Sequence, residues 1–371
     1  MKRTDCRVIV IGDSTNNTLS IIRSFGEAKI NQILILKCDE DVHFVSKSKY
    51  LKKQQVWTIS EIEDSLPILE NVEVSESPIY LLCSFDEAAE FVDQHEELLS
   101  KKFITPSRGK HIGEFFKKDS QCRLAEKCGL TVPRSFSFLR TDNVNIQSFC
   151  YPLLLKPIES IKGEKSDIHI CFDYLDFQKA LESESSCNDF ILQDFIEKEY
   201  EIDCIGVRTD KETFISGGIR KIRHYPKLIG AGAYGLFQPM DNYQIDTDAI
   251  ARFLEASHYY GPFSIEFLHK GNKDYFMEVN FRNEGLAYAS TCAGANLHAM
   301  YVDSDWKIEK KKIRKIFMMN YSLDFLYVID GSISLFTWIR DFMRTRCFIN
   351  ICFHDLGPTW AYYKHKLSRL F

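Results

Sequence analysis

The sequence predicts a mixed α/β chain, with a parallel-sheet layer first and antiparallel strands after it. Three observations carry that reading. Strand and helix signals alternate through residues 6–102, as they do where helices cover a parallel sheet. Two apolar, period-two runs at 202–207 and 213–219 lie close enough to pair antiparallel. A third pairing is written in FSIEFLHKGNKDYFMEVN, residues 263–280, where alternating runs flank the turn chemistry Lys-Gly-Asn-Lys-Asp.

The elements follow in order. Residues 7–12 are a β-rich run ending in Gly-Asp, 15–28 have helical spacing behind a Ser/Thr/Asn start, and 32–36 and 79–83 are further strands. A helix is expected over 86–100. The first strand-to-helix turn, Gly-Asp-Ser-Thr-Asn-Asn, lacks GxGxxG and argues against a dinucleotide site. Residues 103–135 read as mostly helical, and CRLAEKC stops at Gly129 with Pro133 beyond. Strands follow at 151–156, stopped by Pro157, and at 190–195. After the antiparallel pair comes a loop holding Gly230, Gly232 and Gly235, then a helix at 246–260 that leads into the 263–280 hairpin. The tail has helical spacing at 335–344 and 360–370.

Composition sets the function classes. The 371 residues suffice for two or three domains, and 45% hydrophobic with 27% charged residues is ordinary for a globular chain. A net charge of −5 gives a nucleic-acid role no support. Charge is uneven, since 12 Lys/Arg face 7 Asp/Glu from Asp303 onward and leave the tail at +5. The opening MKRTDCRVIVIGD has a signal-like start, but its apolar run is only about six residues long and no small-residue cleavage site follows. No stretch approaches about 18 uninterrupted apolar residues, so no membrane span is expected. The 12 cysteines have neither CxxC nor metal-ligand spacing and are expected as free thiols of a cytoplasmic protein.

Chemistry concentrates in a few places. With the hairpin turn centred on Asn272, Glu266 falls opposite Glu278, and Asn280 lies two residues further on the same face. Like charges across a strand pair repel, so a hairpin that keeps them either solvates that face or holds a cation. Three oxygen ligands suit Mg²⁺. Lys156 closes the apolar strand YPLLLK and either snorkels to water or meets a phosphate. Lys118 precedes a helix at 120–127 beside Lys117. Gln193, Asp194, Phe195 and Ile196 run from a strand into a polar bend that could present backbone groups to an adenine edge, with Glu199 near a ribose; a plain charged turn is the alternative. Arg220, Lys221 and Arg223 cluster in GGIRKIRHYP, either solvated or set to stabilise a transferring phosphoryl group or an oxyanion, and Arg282 follows Asn280 by two residues. No GxSxG, Walker A, HxxxH or triad spacing occurs.

The order of these signals resembles the ATP-grasp superfamily over about residues 103–302. FMEVNFRNEG, similar to the family's Glu-x-Asn-Pro-Arg signature, is the most specific piece, followed by YPLLLKP and ILQDFIEKEYEID. Within the superfamily the chain looks most like the carboxylate–amine ligases, including D-aspartate ligase-like proteins, on IRKIRHYP and on the Asp-x-x-Pro at 355–358.

The resemblance implies a Rossmann-like pre-ATP-grasp domain over 1–102 and an ATP-grasp domain over 103–302. The latter has two α+β lobes, a nucleotide lobe at about 130–200 and a metal lobe at about 201–302. Residues 303–371 are then a basic, aromatic, helical extension. The resemblance also implies ATP with Mg²⁺ (Mn²⁺ as substitute) and an acylphosphate route that joins a small-molecule carboxylate, such as an amino acid, to an amine. ADP and phosphate leave. Carboxylation, phosphotransfer or nucleotide binding without turnover are the alternatives.

Position by position, Lys118 and Lys156 match the phosphate lysines, Gln193 to Ile196 the adenine hinge, and Glu199 the ribose carboxylate. Glu266, Glu278 and Asn280 match the metal ligands, Arg282 the arginine near the transferred phosphate, and Arg220 or Lys221 the cation near the acylphosphate. Two departures stand out: Phe281 replaces the signature proline, and the phosphate loop IESIKGEKSD has Gly163 as its sole glycine. In the tail, WKIEKKKIRKIF and WAYYKHKLSRLF could dock at an anionic membrane surface, but packing on the core is the favoured expectation.

Overall fold

The structure, a computed structural model, describes residues 7–368 apart from 39–43, 74–76, 143, 145, 147–148, 159–167, 183–186 and 228–229. Nearly all of the expected phosphate loop therefore lies outside the described residues. Three sheets organise the described residues.

The first is parallel. Strands β1 (Val8–Asp13), β2 (Gln32–Lys37), β3 (Val56–Ile59) and β4 (Tyr80–Cys83) lie in the order β3-β2-β1-β4. β1 and β2 have continuous apolar runs, Val8–Ile11 and Ile33–Leu36, because both faces are covered. Val8 and Val10 pack with the helix Asn16–Glu27, while Ile9 and Ile11 pack with Phe91 and Val92 of the helix Asp86–Gln94. Thr15 caps the first helix by accepting from the Asn17 amide. β3, four residues long, was not foreseen, and the helix expected over 86–100 breaks at His95 into Asp86–Gln94 and Glu96–Leu99.

The mostly helical reading of 103–135 is overturned. Only the 3-10 turn Gly113–Phe116 and the helix Lys118–Lys127 form there. Buried carboxylates take the amides that further helix would have used. Asp93 accepts from the Ile112 and Gly113 amides, and Glu96 accepts from the Thr105 hydroxyl and the Gly109 amide.

The second sheet is antiparallel and small: β5 (Ser135–Leu139), β6 (Leu153–Pro157), β7 (His169–Cys171) and β8 (Asp189–Asp194), in the order β5-β8-β6-β7. β5 and β7 went unread in the sequence.

The third sheet has seven strands. These are β9 (Tyr200–Arg208), β10 (Thr213–Tyr225), β11 (Ala231–Pro239), β12 (Gly261–Lys270), β13 (Lys273–Asn280), β14 (Ile316–Met319) and β15 (Thr345–Phe348). They run in the order β13-β12-β9-β10-β11-β14-β15. The glycine-rich loop of the sequence reading is in fact strand β11. A Cβ on Gly235 would sit 3.0 Å from Ile219 and Met318 side chains, so that glycine serves close packing rather than a turn. β14 and β15 come from the tail, which a purely helical reading left out; the helices Leu335–Arg344 and Leu356–Ser368 flank β15. Among the described residues no helix is long and apolar enough to cross a membrane.

Candidate functional site

The hairpin β12–β13 brings Glu266 and Glu278 face to face by a route the sequence does not spell out. The turn is the two-residue loop Gly271-Asn272, with Gly271 at φ +63°, where a side chain would be strained. Counted from that turn, Phe267 pairs with Phe276. One surplus residue, Met277, then shifts the register, so that Glu266 pairs with Glu278 and Ser264 with Asn280. Without this bulge Phe276 and Glu278 would share a face. With it, Phe276 is buried in the core while Glu278 turns to the same side as Glu266 and Asn280. Asn280 donates through Nδ2 to Ser264 Oγ at 3.0 Å, which leaves its Oδ1 as a ligand atom. Phe281, standing where the signature has proline, stacks on Phe253 and roots the strand end in the core.

The carboxylate face continues onto β9. Asp203 is the register partner of Glu266, and Glu201 lies two residues back on the same side. Lys221 of β10 reaches among them. Its ammonium bonds Glu201, lies 2.9 Å from Asp203 Oδ1 in an ion pair, and lies 3.5 Å from Glu266 Oε1. Glu201, Asp203 and Glu266 offer oxygens within 4.8 Å of one another.

Burial opposes charge on Lys221, but Asp203, Glu266 and Glu201 together hold its pKa well above the usual lysine value. Burial pushes Glu266 up to about 7 against the pull of Lys221, and Glu278 adds to the push. A quarter of the Glu266 side chain nonetheless remains accessible to a ligand. Burial also opposes charge at Glu201, but Lys221 and Lys198 overcome it and hold that group at about 2. Neither Glu201 nor Asp203 was singled out in the sequence. The signal was there in YEIDCIGVR, two acids on one face of an otherwise apolar strand.

Opposite stands the small sheet. Lys156 on β6 and Gln193 on β8 share one of its faces, since Lys156 pairs with Ile191 and Leu154 with Gln193. Lys156 is buried, and no hydrogen bond or ion pair reaches its ammonium among the described residues. Burial lowers its pKa, with Glu278 pulling the other way and Lys118 adding to the fall. Lys118 opens the helix Lys118–Lys127 and places Nζ 3.9 Å from Glu278 Oε2. Gln121 of that helix fastens it to β13. Its amide accepts from the Val279 N–H at 3.0 Å and donates to the Val279 carbonyl at 3.1 Å, between Glu278 and Asn280.

The hinge residues close β8. Gln193 Oε1 is buried with no partner among the described residues, while Asp194 pairs with Arg134 at 3.1 Å. The Phe195 amide bonds the Pro152 carbonyl, and Ile196 follows outside the strand.

Three expected residues lie elsewhere. Glu199 is exposed and accepts from the Gly271 amide at 2.9 Å, so the turn holds it at the far end of the hairpin from Glu266. Arg220 alternates to the opposite face of β10, its guanidinium 4.2 Å from the Tyr200 ring centroid. Arg223 joins Asp324 and Asp341 of the tail. Arg282 is at the site but occupied: its guanidinium grips both oxygens of Asp86, at 2.6 and 3.2 Å, and so ties the end of β13 to the helix Asp86–Gln94 of the parallel layer.

No protein-family model matches this sequence, and no curated protein matches it. Solved structures do. N5-carboxyaminoimidazole synthetase from Staphylococcus aureus complexed with ADP superposes with a TM-score of 0.66 at 14% identity, over 89% of this chain and 87% of that one. L-amino acid ligase from Bacillus licheniformis gives 0.63 at 13% identity, over 85% and 80%. The biotin carboxylase domain of the Hydrogenobacter thermophilus 2-oxoglutarate carboxylase, bound to MgADP and bicarbonate, gives 0.63 at 13%, over 85% and 74%. The chain has the ATP-grasp fold.

Proposed function

We propose that the protein is an ATP- and Mg²⁺-dependent ligase that joins a carboxylate to an amine through an acylphosphate. One observation carries the reading: Glu266 and Glu278 oppose each other on one sheet, while the Lys118 ammonium lies 3.9 Å from Glu278 and the buried Lys156 feels the Glu278 charge. Two carboxylates and an amide oxygen fit a divalent cation, and the two lysines fit the phosphates that accompany it. The similar structures support it, being a synthetase, an amino acid ligase and a carboxylase that hold ADP or act on amino acids by their descriptions.

Glu266, Glu278 and Asn280 would hold the Mg²⁺, which supplies charge neutralisation at the β- and γ-phosphates. Lys156 and Lys118 orient those phosphates. Gln193 and the backbone at Phe195 and Ile196 receive the adenine, and Glu201, which shares the site face, takes the ribose role first expected of Glu199. A substrate carboxylate oxygen then bonds the γ-phosphorus as the bond to the β-phosphate bridging oxygen breaks and ADP departs. An amine nitrogen next bonds the acyl carbon, the carbon–oxygen bond to phosphate breaks, and the nitrogen loses a proton. Lys221 and Arg282 stabilise the negative charge that develops at each stage.

Carboxylation is the second reading, favoured by the carboxylase bound to bicarbonate. There bicarbonate is the acid that is phosphorylated. ADP release with Mg-ATP, measured across amino acids, other carboxylates and bicarbonate with and without amines, separates the two. Turnover should need an organic carboxylate and an amine, and Glu278→Ala should lose at least about 100-fold of it. Near-normal turnover by that variant would sink the assignment.

A further inference from the structure

The helix Leu335–Arg344 presents its apolar side chains outward. Phe336 is 80% exposed and Met343 77%, with Leu335 and Ile339 exposed beside them. Ring contacts run from Phe342 to Phe348 and on to Phe353, which is 69% exposed and extends the patch. The helix cannot roll to bury these groups. Its inward side is fixed by Asp341, which pairs with Arg223 at 2.9 Å, and by Trp338, whose ring meets Phe325 edge-on.

The exposed charges on this helix and on β15 are all positive. From Gly331 onward the sequence holds six Lys/Arg and two acids. Both acids are buried in ion pairs, Asp341 with Arg223 and Asp355 with Arg23. The outward groups beside the apolar side chains are Arg340, Arg344 and Arg346, all exposed. A second copy docked through the same face would bring one positively charged patch against another, which disfavours it as the occupant. Large apolar groups interleaved with cations on one rigid, outward face are what an anionic lipid interface recognises.

We infer that the face of helix Leu335–Arg344 docks the protein on an anionic membrane surface. This helix lies between the two segments flagged in the sequence, of which the first turns inward. Ile308, Ile313 and Ile316 of the first pack into the core.

The full-length protein should sediment at low salt with vesicles of phosphatidylglycerol and phosphatidylcholine and not with phosphatidylcholine alone. Binding should weaken as salt rises. Phe336→Ser/Met343→Ser should bind at least about 10-fold more weakly, and each of Arg344→Gln and Arg346→Gln about 5-fold. These side chains project into solvent, so thermal unfolding should match the parent protein, which separates lost docking from lost folding. Absence of binding at low salt, equal binding by the variants, or a dimer in light scattering that Phe336→Ser/Met343→Ser dissolves would each overturn the inference.

Discussion

Arg23 and Asp355 lie 332 positions apart in the chain and form one buried ion pair, Nε to Oδ2 at 3.1 Å. The Asp355 carboxylate also accepts from Ser48 Oγ at 2.9 Å and from the Lys49 amide at 2.8 Å, and Arg23 donates to the Ile349 carbonyl. The Asp-x-x-Pro segment thus fastens the tail to the parallel-sheet layer at Arg23, Ser48 and Lys49. Asp355→Ala would strand a buried guanidinium and should reduce stability by about 3–5 kcal/mol. Urea unfolding with an unchanged slope and a lower midpoint checks this.

Arg220 and Lys221 are neighbours in sequence on opposite faces of β10, so their substitutions should diverge. Arg220→Ala should leave ADP release within about threefold, as a surface change away from the site. Lys221→Met should lose about 100-fold or more, because it removes the cation among Glu201, Asp203 and Glu266. Equal losses in the two variants would contradict the placement of Arg220.

Gln121 holds the Lys118 helix to the strand between Glu278 and Asn280. Gln121→Leu leaves the buried Val279 N–H and C=O unpaired and should destabilise the protein by about 2–4 kcal/mol. Turnover should also fall about 10-fold at saturating ATP, since Lys118 loses its fixed distance to Glu278. Thermal melts and ADP release measure the two effects separately.

His298 is buried, and its pKa is pulled down to about 3 by that burial. Asn283 spends its Nδ2 on the Asn17 carbonyl and Ser20 Oγ, so its Oδ1 accepts from His298 Nε2–H at 2.8 Å. The unfolded chain binds a proton here below about pH 6.5, the native one not until about pH 3. This group therefore contributes stability that is present above about pH 6.5 and falls as pH drops, by up to about 1.4 kcal/mol per unit. His298→Gln should donate to Asn283 without titrating. Chemical denaturation from pH 7 to pH 5 should show a shallower loss in the variant than in the parent.

The parts of this architecture legible in the sequence were those set by local alternation. VIVIGD, QILILK and the hairpin announced themselves, but the Glu266–Glu278 pairing, expected from a turn centred on Asn272, is reached through the Gly271-Asn272 turn and the bulge at Met277. What stayed hidden depended on distant partners. Residues 103–112 were expected to be helical although Pro106 and Gly109 stand among them, and distant Asp93 and Glu96 take the Ile112 and Gly109 amides. β14 and β15 are four residues each and become strands because β11 is there to receive one of them. Glu199 and Glu201 differ by two positions in a run of charges, and register against β12 and β10 decides which joins the site. Arg220 against Lys221 was likewise a question of face, which requires the strand's register.

The surplus residue at Met277 uncouples the hairpin's tip from its base. Below the bulge the strand obeys one parity, and above it the other. Residues added between Lys270 and Lys273 would enlarge a solvent-exposed loop while Glu278 stayed opposite Glu266. Deleting Met277 alone would turn either Phe276 out of the core or Glu278 into it. Tolerance to length change along these few residues is therefore sharply graded, permissive at Asn272 and absent five positions later.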